Sequence, residues 1–297
     1  MMKKFQVLTD STSDLVGSLR KEYDLDYVKM GFTLKGTNYE ADLDWKGISP
    51  DDYYISMREG NRSITTLVQT GEFENKFTEY LDKGLDILYI SCSSKLSGSI
   101  NNGKLVANEI LEKYPDRKIL FIDSLRSNMG QGLMAINACK LANEGLEIEE
   151  VVQRIEAEKL NYQTYATVGS LEWLKKAGRV KASAAFFGNI FGVKPIILSD
   201  AKGNNYAFKK VKGRKTSLDE LVSIVKENSI ENETNVVYVE HANCIKDAEY
   251  VKEQILNNTS IKEVYISDIG PIIGATTGPD TITINFYGKK VTIVGEE

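Results

Sequence analysis

The sequence predicts an α/β protein of two domains. In the first half, short β-rich runs alternate with amphipathic stretches, which is the pattern of a mostly parallel sheet in a three-layer α/β/α domain. Beyond about Tyr165, six strand-like runs follow one another with few helices between them, which is typical of a mixed sheet. A chain of 297 residues fits two medium-sized domains, and we place them at 1–163 and 164–297.

Three strands of the first half are each followed by a polar turn and a helix. The strands are 5–8, 87–91 and 119–122, and the turns contain 10–14, 97–99 and 123–124. The carboxyl ends of parallel strands meet at one edge of a sheet, where open α/β sheets bind their ligands. We therefore expect the three turns to lie close together.

The first of these turns, Asp-Ser-Thr-Ser-Asp, has two interpretations. Ser11 and Asp14 have the spacing of a capping pair at a helix start. Alternatively, the small hydroxyls face a ligand in the crevice.

The region between the first two strands is less regular. Lys35-Gly36-Thr37 predicts a hairpin turn, and Pro50 predicts a helix that begins at Ser49. Thr65 and Thr66 then precede another helix. This loop returns to the same crevice.

The second half contains the least polar run of the chain. Its strands are expected at 164–168, 195–198, 206–211, 235–239, 264–267 and 281–286, with a hairpin turn at 201–204. The run 182–193 is apolar nearly all round, and it includes Phe186, Phe187 and Ile190. Such a segment either belongs to the core or lines the site of a slender apolar ligand.

Composition excludes several classes of protein. A net charge of −5 gives no reason to expect a nucleic-acid partner. Three isolated cysteines argue against a disulfide framework and a zinc site. Apolar runs fall short of the roughly 18 residues that a membrane span needs, and the N-terminus lacks the apolar core of a signal peptide. We expect a cytoplasmic protein without stable membrane insertion.

The single histidine limits the available chemistry. Serine–histidine, cysteine–histidine and multi-histidine metal sites all depend on imidazole, and the chain offers only His241. This favours a binding protein over a hydrolase, and we assign no catalytic residue.

Taken in order along the chain, these motifs resemble the DegV family, the fatty-acid-binding proteins that include the acyl-carrying subunit of bacterial fatty acid kinase. The resemblance runs nearly end to end, and it rests on 9–15, 93–99, 123–124, 174–180, 194–195 and 270–274. Each motif alone is weak, whereas their order and spacing are specific. The resemblance implies a tunnel between the domains that holds one long-chain fatty acid, such as palmitate, stearate or oleate, without a cofactor.

The resemblance also implies which residues contact the fatty acid. The carboxylate would be held by Ser97 and by Thr66 or its neighbour Thr65, at a helix start where free N–H groups favour an anion. The other implied residues are Gly98, Ser99 and Thr276 near the carboxylate, Phe186, Phe187 and Ile190 along the tail, and Asp10, Ser11, Thr12 and Asp123 in supporting turns.

One departure concerns Thr276, which stands where many relatives carry a histidine. Threonine can hydrogen-bond to a carboxylate or an acyl phosphate, but it cannot become cationic. The resemblance further implies that basic residues, here Arg179 and Lys176, contact a fatty acid kinase.

The alternative is a magnesium-dependent enzyme, or a phosphate- or nucleotide-binding protein, that uses the same crevice. Asp10 and Asp123 would then be magnesium ligands or general bases, and the turn 97–99 would surround a phosphate. The chain has neither a P-loop nor a nucleotide-binding glycine fingerprint.

Overall fold

The computed structural model of the chain describes residues 3–181, 192–230 and 236–295, which contain three β-sheets. The strands are β1 (Phe5–Asp10), β2 (Asp26–Val28), β3 (Gly31–Leu34), β4 (Thr37–Glu40), β5 (Ile64–Thr66), β6 (Asp86–Ser91), β7 (Ile119–Asp123), β8 (Tyr162–Thr167), β9 (Val180–Lys181), β10 (Val193–Ser199), β11 (Asn205–Lys212), β12 (Val236–His241), β13 (Glu263–Asp268) and β14 (Ile282–Tyr287). The helices are α1 (Gly17–Glu22), α2 (Pro50–Arg58), α3 (Thr70–Asp82), α4 (Ser99–Leu111), α5 (Asn128–Asn143), α6 (Ile148–Glu158), α7 (Leu171–Ala177), α8 (Arg214–Asn228), α9 (Ile245–Asn258) and α10 (Pro271–Thr277).

Sheet A has the strand order β2-β1-β6-β7, and all neighbouring strands are parallel. Alternate residues of β6 supply its two faces: Ile87 and Tyr89 pack with α3 and α4, whereas Leu88 and Ile90 pack with α5 and α6. The predicted three-layer α/β/α arrangement is therefore confirmed. The turns after β1, β6 and β7 lie at one edge of this sheet.

Sheet B is a small antiparallel sheet of order β4-β3-β5 beside that edge. Lys35 and Gly36 form its hairpin turn, with φ angles of 50° and 78°, and Gly31 pairs with Thr66. This pairing places both threonines of β5 at the crevice. As predicted, Ser49 caps α2, and its side chain accepts a hydrogen bond from Asp52 N.

Sheet C is mixed, with the order β13-β12-β14-β8-β10-β11-β9. Helices α8 and α9 cover one face through a core that includes Leu221, Val225 and Val251. The mixed sheet predicted for the second half is confirmed. Its strand β8 begins at Tyr162, close to the boundary that we place between 163 and 164.

Two polar contacts join the edge of sheet A to the β10–β11 hairpin of sheet C. Ser93 Oγ donates a hydrogen bond to Gly203 O at 2.7 Å. Arg126 is fully buried, and its Nη1 donates to Asp200 O at 3.0 Å. Burial lowers the pKa of Arg126 to about 10, so the side chain stays cationic at neutral pH. These contacts hold the two sheets around the space between them.

The capping interpretation of the first turn is wrong. Residues Ser11–Ser13 form a short 3-10 helix whose N-cap is Asp10, and α1 begins only at Gly17. Ser11 instead accepts a hydrogen bond from Met30 N at 2.8 Å, which ties the turn to the start of sheet B. Asp14 ends the short helix in the left-handed conformation, with φ of 50°.

No helix within the described ranges is long and apolar enough to cross a membrane.

Candidate functional site

A cavity of about 360 Å³ lies between the polar edge of sheet A and the face of sheet C opposite α8 and α9. One part of its lining is rich in hydroxyls and includes Thr12, Thr65, Thr66, Ser97, Thr276 and Thr277. Another part is apolar and includes Met30, Leu67, Leu96, Ala166, Ile197, Leu198, Ile272 and Ile273. A concave apolar site with a few polar groups is the usual form of a small-molecule pocket.

Ser97 reaches the cavity just before α4. The N-cap of this 13-residue helix is Gly98, which has no side chain, and Ser97 Oγ accepts a hydrogen bond from the first N–H group, that of Ser99, at 3.3 Å. Ser97 Oγ lies 2.9 Å from Ser99 Oγ. Ser99 is buried, and its hydroxyl accepts a hydrogen bond from Val68 N at 3.1 Å. Ser97 therefore faces the cavity, and Ser99 anchors it to the loop after β5.

Thr65 and Thr66 both line the cavity from β5. Thr66 Oγ1 lies close to Gly31 on the neighbouring strand, where an added Cβ would come within 2.8 Å of it. The absence of a side chain at Gly31 therefore makes room for Thr66. Which of the two threonines contacts a ligand stays a prediction.

Asp10 lies beneath this site and outside the cavity lining. One carboxylate oxygen accepts from Thr12 N at 3.0 Å, and the other accepts from Tyr89 OH at 2.9 Å and Cys92 N at 3.0 Å. Asp10 thereby joins the turn after β1 to the turn after β6. The magnesium interpretation would require these bonds to be broken, because both oxygens are already engaged.

Thr12 in the first turn adds a contact to α5, and Asp123 joins the other two turns to each other. Thr12 lines the cavity, and its hydroxyl donates to Gln131 Oε1 at 2.7 Å. Asp123 Oδ1 accepts from Ser94 N at 3.2 Å and from Leu125 N at 3.1 Å. Within the described ranges, no group of three or more histidine, cysteine or acidic side chains could hold a metal ion.

Cys92 is a buried thiol that also lines the cavity. Burial, assisted by the charge of Asp10, raises its pKa well above the ordinary value, and contacts with Thr12 and Ser97 lower it only in part. The side chain is therefore a neutral thiol between the two hydroxyls and not a nucleophile.

The remaining predicted residues occupy different places. Thr276 and Arg179 line the cavity, and Arg179 is exposed, with its Nη1 donating to Ala177 O at 2.9 Å. Lys176 is exposed and lies outside the lining, 3.8 Å from Glu172. Phe186, Phe187 and Ile190 lie outside the described residues.

Sequence reasoning missed a set of polar side chains that line the cavity from α5 and sheet C. Asn128 at the start of α5 and Thr164, Ser199, Asn205 and Thr283 on sheet C all line the cavity. Their strands pair so that Thr164 lies opposite Asn285 and Ser199 opposite Asn205. The only signal in the sequence is the alternation along each strand, which does not say which face meets a ligand.

It also missed a buried pair of acids behind these side chains. Glu240 on β12 is fully buried, and burial raises its pKa to about 7. The pKa of Asp14 is raised well above its ordinary value, first by burial and then by the charge of Glu240. Asp14 belongs to the first half of the chain and Glu240 to the second. The protonation state of this pair therefore affects the contact between the two halves.

Comparisons with known proteins agree with one another. The family model described as DegV, an uncharacterised protein family, matches residues 4–289. A DegV domain-containing protein of Clostridium perfringens is 34% identical over 97% of this chain and 98% of its own length. A fatty-acid-binding DegV family protein of Thermus thermophilus superposes with a TM-score of 0.84 at 25% identity, covering 96% of this chain and all of that one. A fatty-acid-binding DegV family protein of Streptococcus agalactiae superposes with a TM-score of 0.85 at 21% identity, covering 97% of this chain and all of that one.

Proposed function

This chain belongs to the DegV family, and we propose that it binds one long-chain fatty acid in the cavity between sheet A and sheet C. The observation that carries the proposal is the lining, which combines hydroxyls at the start of α4 with apolar side chains. The relative from Thermus thermophilus is described as binding a fatty acid, and it shares the fold over nearly all of both chains. We propose carriage of the lipid and no catalysis by this chain.

The carboxylate belongs at the hydroxyl-rich end. Ser97 and Thr66, or Thr65, can donate hydrogen bonds to it, and the first N–H groups of α4 beside Gly98 favour an anion. Thr276 lies on the same cavity and can add a further bond. A hydrogen bond to a charged group contributes about 1.5 to 3 kcal/mol.

The acyl tail belongs against the apolar side chains of sheet C and α10, which include Ala166, Ile197 and Ile272. Burial contributes about 0.8 kcal/mol per methylene, so roughly fourteen methylenes gain on the order of 11 kcal/mol before ordering costs. The free energy gained by burying the tail therefore exceeds the free energy of the hydrogen bonds to the carboxylate. In this proposal, Phe186, Phe187 and Ile190 also line the tail, and residues 164–297 form the domain that encloses it.

We propose further that the bound acid is presented to a fatty acid kinase. Arg179 supports this role because it is both exposed and part of the cavity lining, and Lys176 is exposed nearby in sequence. ATP-dependent conversion of the bound acid to an acyl phosphate, when a fatty acid kinase is added, tests this step.

The bound lipid itself gives the direct test. We expect mass spectrometry of an organic extract of the purified protein to reveal a long-chain fatty acid near one equivalent, and a delipidated sample to take up palmitate or oleate. Thermal stability should rise with added fatty acid and not with magnesium and ATP. An empty extract combined with no uptake would overturn the proposal.

The carboxylate contacts are tested by Ser97→Ala combined with Thr66→Ala. We expect the double variant to bind palmitate at least tenfold more weakly, because hydrogen bonds to a charged group are lost. The double variant should lose much less affinity for hexadecanol, which has the same tail and no carboxylate. Displacement of a fluorescent fatty acid measures both ligands, and equal losses for acid and alcohol would contradict the carboxylate role.

A further inference from the structure

Helix α10 brings residues to the cavity lining, but it is too short to fix its own position. Ile272, Ile273 and Thr276 lie on one side of this seven-residue helix, and all three line the cavity. Isolated helices shorter than about 12 residues are marginally stable in water, so the position of α10 depends on its tertiary contacts. The contacts that hold α10 therefore also determine the shape of the cavity.

Two tyrosines of α2 bind the start of α10. Tyr53 Oη donates a hydrogen bond to Pro271 O at 2.7 Å, and Tyr54 Oη donates to Ile269 O at 2.6 Å. Both tyrosine side chains are fully buried, and burial raises the pKa of each, so both hydroxyls remain protonated donors. Since the acceptors are backbone carbonyls, the two bonds fix the place where the helix begins.

The tyrosine rings are themselves held by other aromatic rings. Tyr53 and Tyr54 pack edge to face, with their ring centroids 5.1 Å apart. Phe32 and Trp45 pack against Tyr53 at centroid distances of 5.4 and 5.6 Å. A shift of α10 would break the two hydrogen bonds, because the rings cannot follow it.

Gly274 shows how closely α10 approaches these rings. A Cβ added at Gly274 would lie 2.4 Å from Tyr54 Oη and 3.0 Å from two carbons of the ring. Gly274 lies on the side of the helix opposite Ile272 and Thr276, so α10 is packed between the tyrosine and the cavity. A side chain at position 274 would push the helix towards a ligand.

We infer that Tyr53 and Tyr54 are positioning residues for the ligand, which they do not touch, because they hold α10 in the place that the cavity needs. This inference rests on the proposed function. Neither tyrosine belongs to the cavity lining. Loss of one hydroxyl leaves a buried carbonyl without its donor, and α10 can recover a partner for that carbonyl only by shifting. Such a shift moves Thr276 away from the carboxylate and opens gaps beside Ile272.

Tyr54→Phe removes one hydroxyl and keeps the ring. We expect it to weaken binding of palmitate about fivefold, measured by displacement of a fluorescent fatty acid. Tyr80→Phe is the matched control, because Tyr80 Oη donates to Asp26 Oδ2 at 2.7 Å and lies outside the cavity lining. The control should lower the melting temperature and leave the palmitate affinity unchanged. If Tyr54→Phe lowers the melting temperature but binds palmitate normally, the tyrosine serves stability alone and the inference is overturned. If the wild type binds no fatty acid, the proposed function itself fails.

Gly274→Ala tests the same contact from the side of α10. Alanine is a better helix former than glycine, so a loss of affinity reports the collision with Tyr54 and not a weaker helix. We expect palmitate to bind about tenfold more weakly. Removal of the tyrosine hydroxyl makes room for the new methyl group, so Gly274→Ala combined with Tyr54→Phe should bind palmitate more tightly than Gly274→Ala alone. Losses that simply multiply in the double variant would mean that the two residues act independently, which contradicts the inference.

Discussion

Ala166→Phe is expected to weaken binding of palmitate and oleate by at least a hundredfold. Ala166 is 7% exposed, lies on β8 opposite Ile197 and Thr283, and lines the cavity. A phenyl ring at this position enters the space that the tail would occupy. The loss is large because burial of roughly half of a fourteen-methylene tail, at about 0.8 kcal/mol each, is at stake. Isothermal titration with each acid measures it.

The fold of this variant can be monitored separately from binding. Since the ring fills empty space, we expect the ligand-free protein to keep a melting temperature near that of the wild type, and the rise with added oleate to vanish. Ala157→Phe on the exposed face of α6 adds the same ring away from the cavity and should bind normally. Ala166→Leu is the milder variant if the ring overpacks the site. Normal uptake by both cavity variants would place the tail elsewhere.

The general arrangement of the site could be predicted because parallel strands impose it. Each strand of sheet A that ends in a polar turn delivers that turn to one edge, so Asp10, Ser97 and Asp123 could be grouped from sequence alone. The loop with Thr65 and Thr66 could be added because it precedes a helix start. These are local signals joined by one topological rule.

The functions of individual side chains within the turns were harder to predict. Ser11 and Asp14 have the spacing of a capping pair, but tertiary packing gives Ser11 a partner on another element, Met30 N, at 2.8 Å. Asp14 is directed instead towards Gly270, where an added Cβ would lie 2.3 Å from Asp14 Oδ1. A capping pattern shows only which local hydrogen bonds a residue can make. In this protein Ser11 and Asp14 make tertiary contacts instead.

The polar side chains that line the cavity from α5 and sheet C, and the acid pair behind them, could not be predicted for a different reason. Asn128, Thr164 and Glu240 come from three elements far apart in sequence, and they meet only once sheet C packs against the edge of sheet A. Alternation along β8 and β14 separates the two faces of a strand, but both faces of sheet C are covered. Without the packing, the threonines of β8 are not distinguishable from ordinary strand residues.

Glu240→Gln is expected to stabilise the protein at pH 8 and to have little effect at pH 5. Glu240 Oε2 accepts hydrogen bonds from Thr283 and Asn285, whereas Oε1 has no partner and the neighbouring carboxyl is Asp14. Glutamine keeps an oxygen for the two donors and can turn its NH₂ group towards Asp14. In the wild type, two buried carboxyls lie next to each other. In the variant, Asp14 is the only acid of the pair, and the glutamine amide is a neutral hydrogen-bond donor beside it.

The sign of the pH dependence follows from the direction of the pKa shift. The pKa of Glu240 is about 7 in the folded protein against 4.5 as its ordinary value, so between these values the folded state binds a proton that the unfolded chain has released. Wild-type stability should then fall as pH rises from 5 to 8, by about 3 kcal/mol from this group. Asp14, whose pKa is also raised, acts in the same direction. His241 acts in the opposite direction below pH 6.5, because burial lowers its pKa.

The difference between the two proteins isolates the acid pair from His241, because Asp14 responds to the charge of Glu240. Urea unfolding at pH 5, 6, 7 and 8 should give wild-type and Glu240→Gln curves that diverge steadily as pH rises, because His241 contributes alike to both. Glu109→Gln, on the exposed surface of α4, is the matched control and should run parallel to the wild type. Parallel curves for Glu240→Gln would mean that Glu240 is ionised throughout this range. A divergence would identify the buried acid pair as a titrating contact between the two halves of the chain, directly behind Thr283 in the cavity lining.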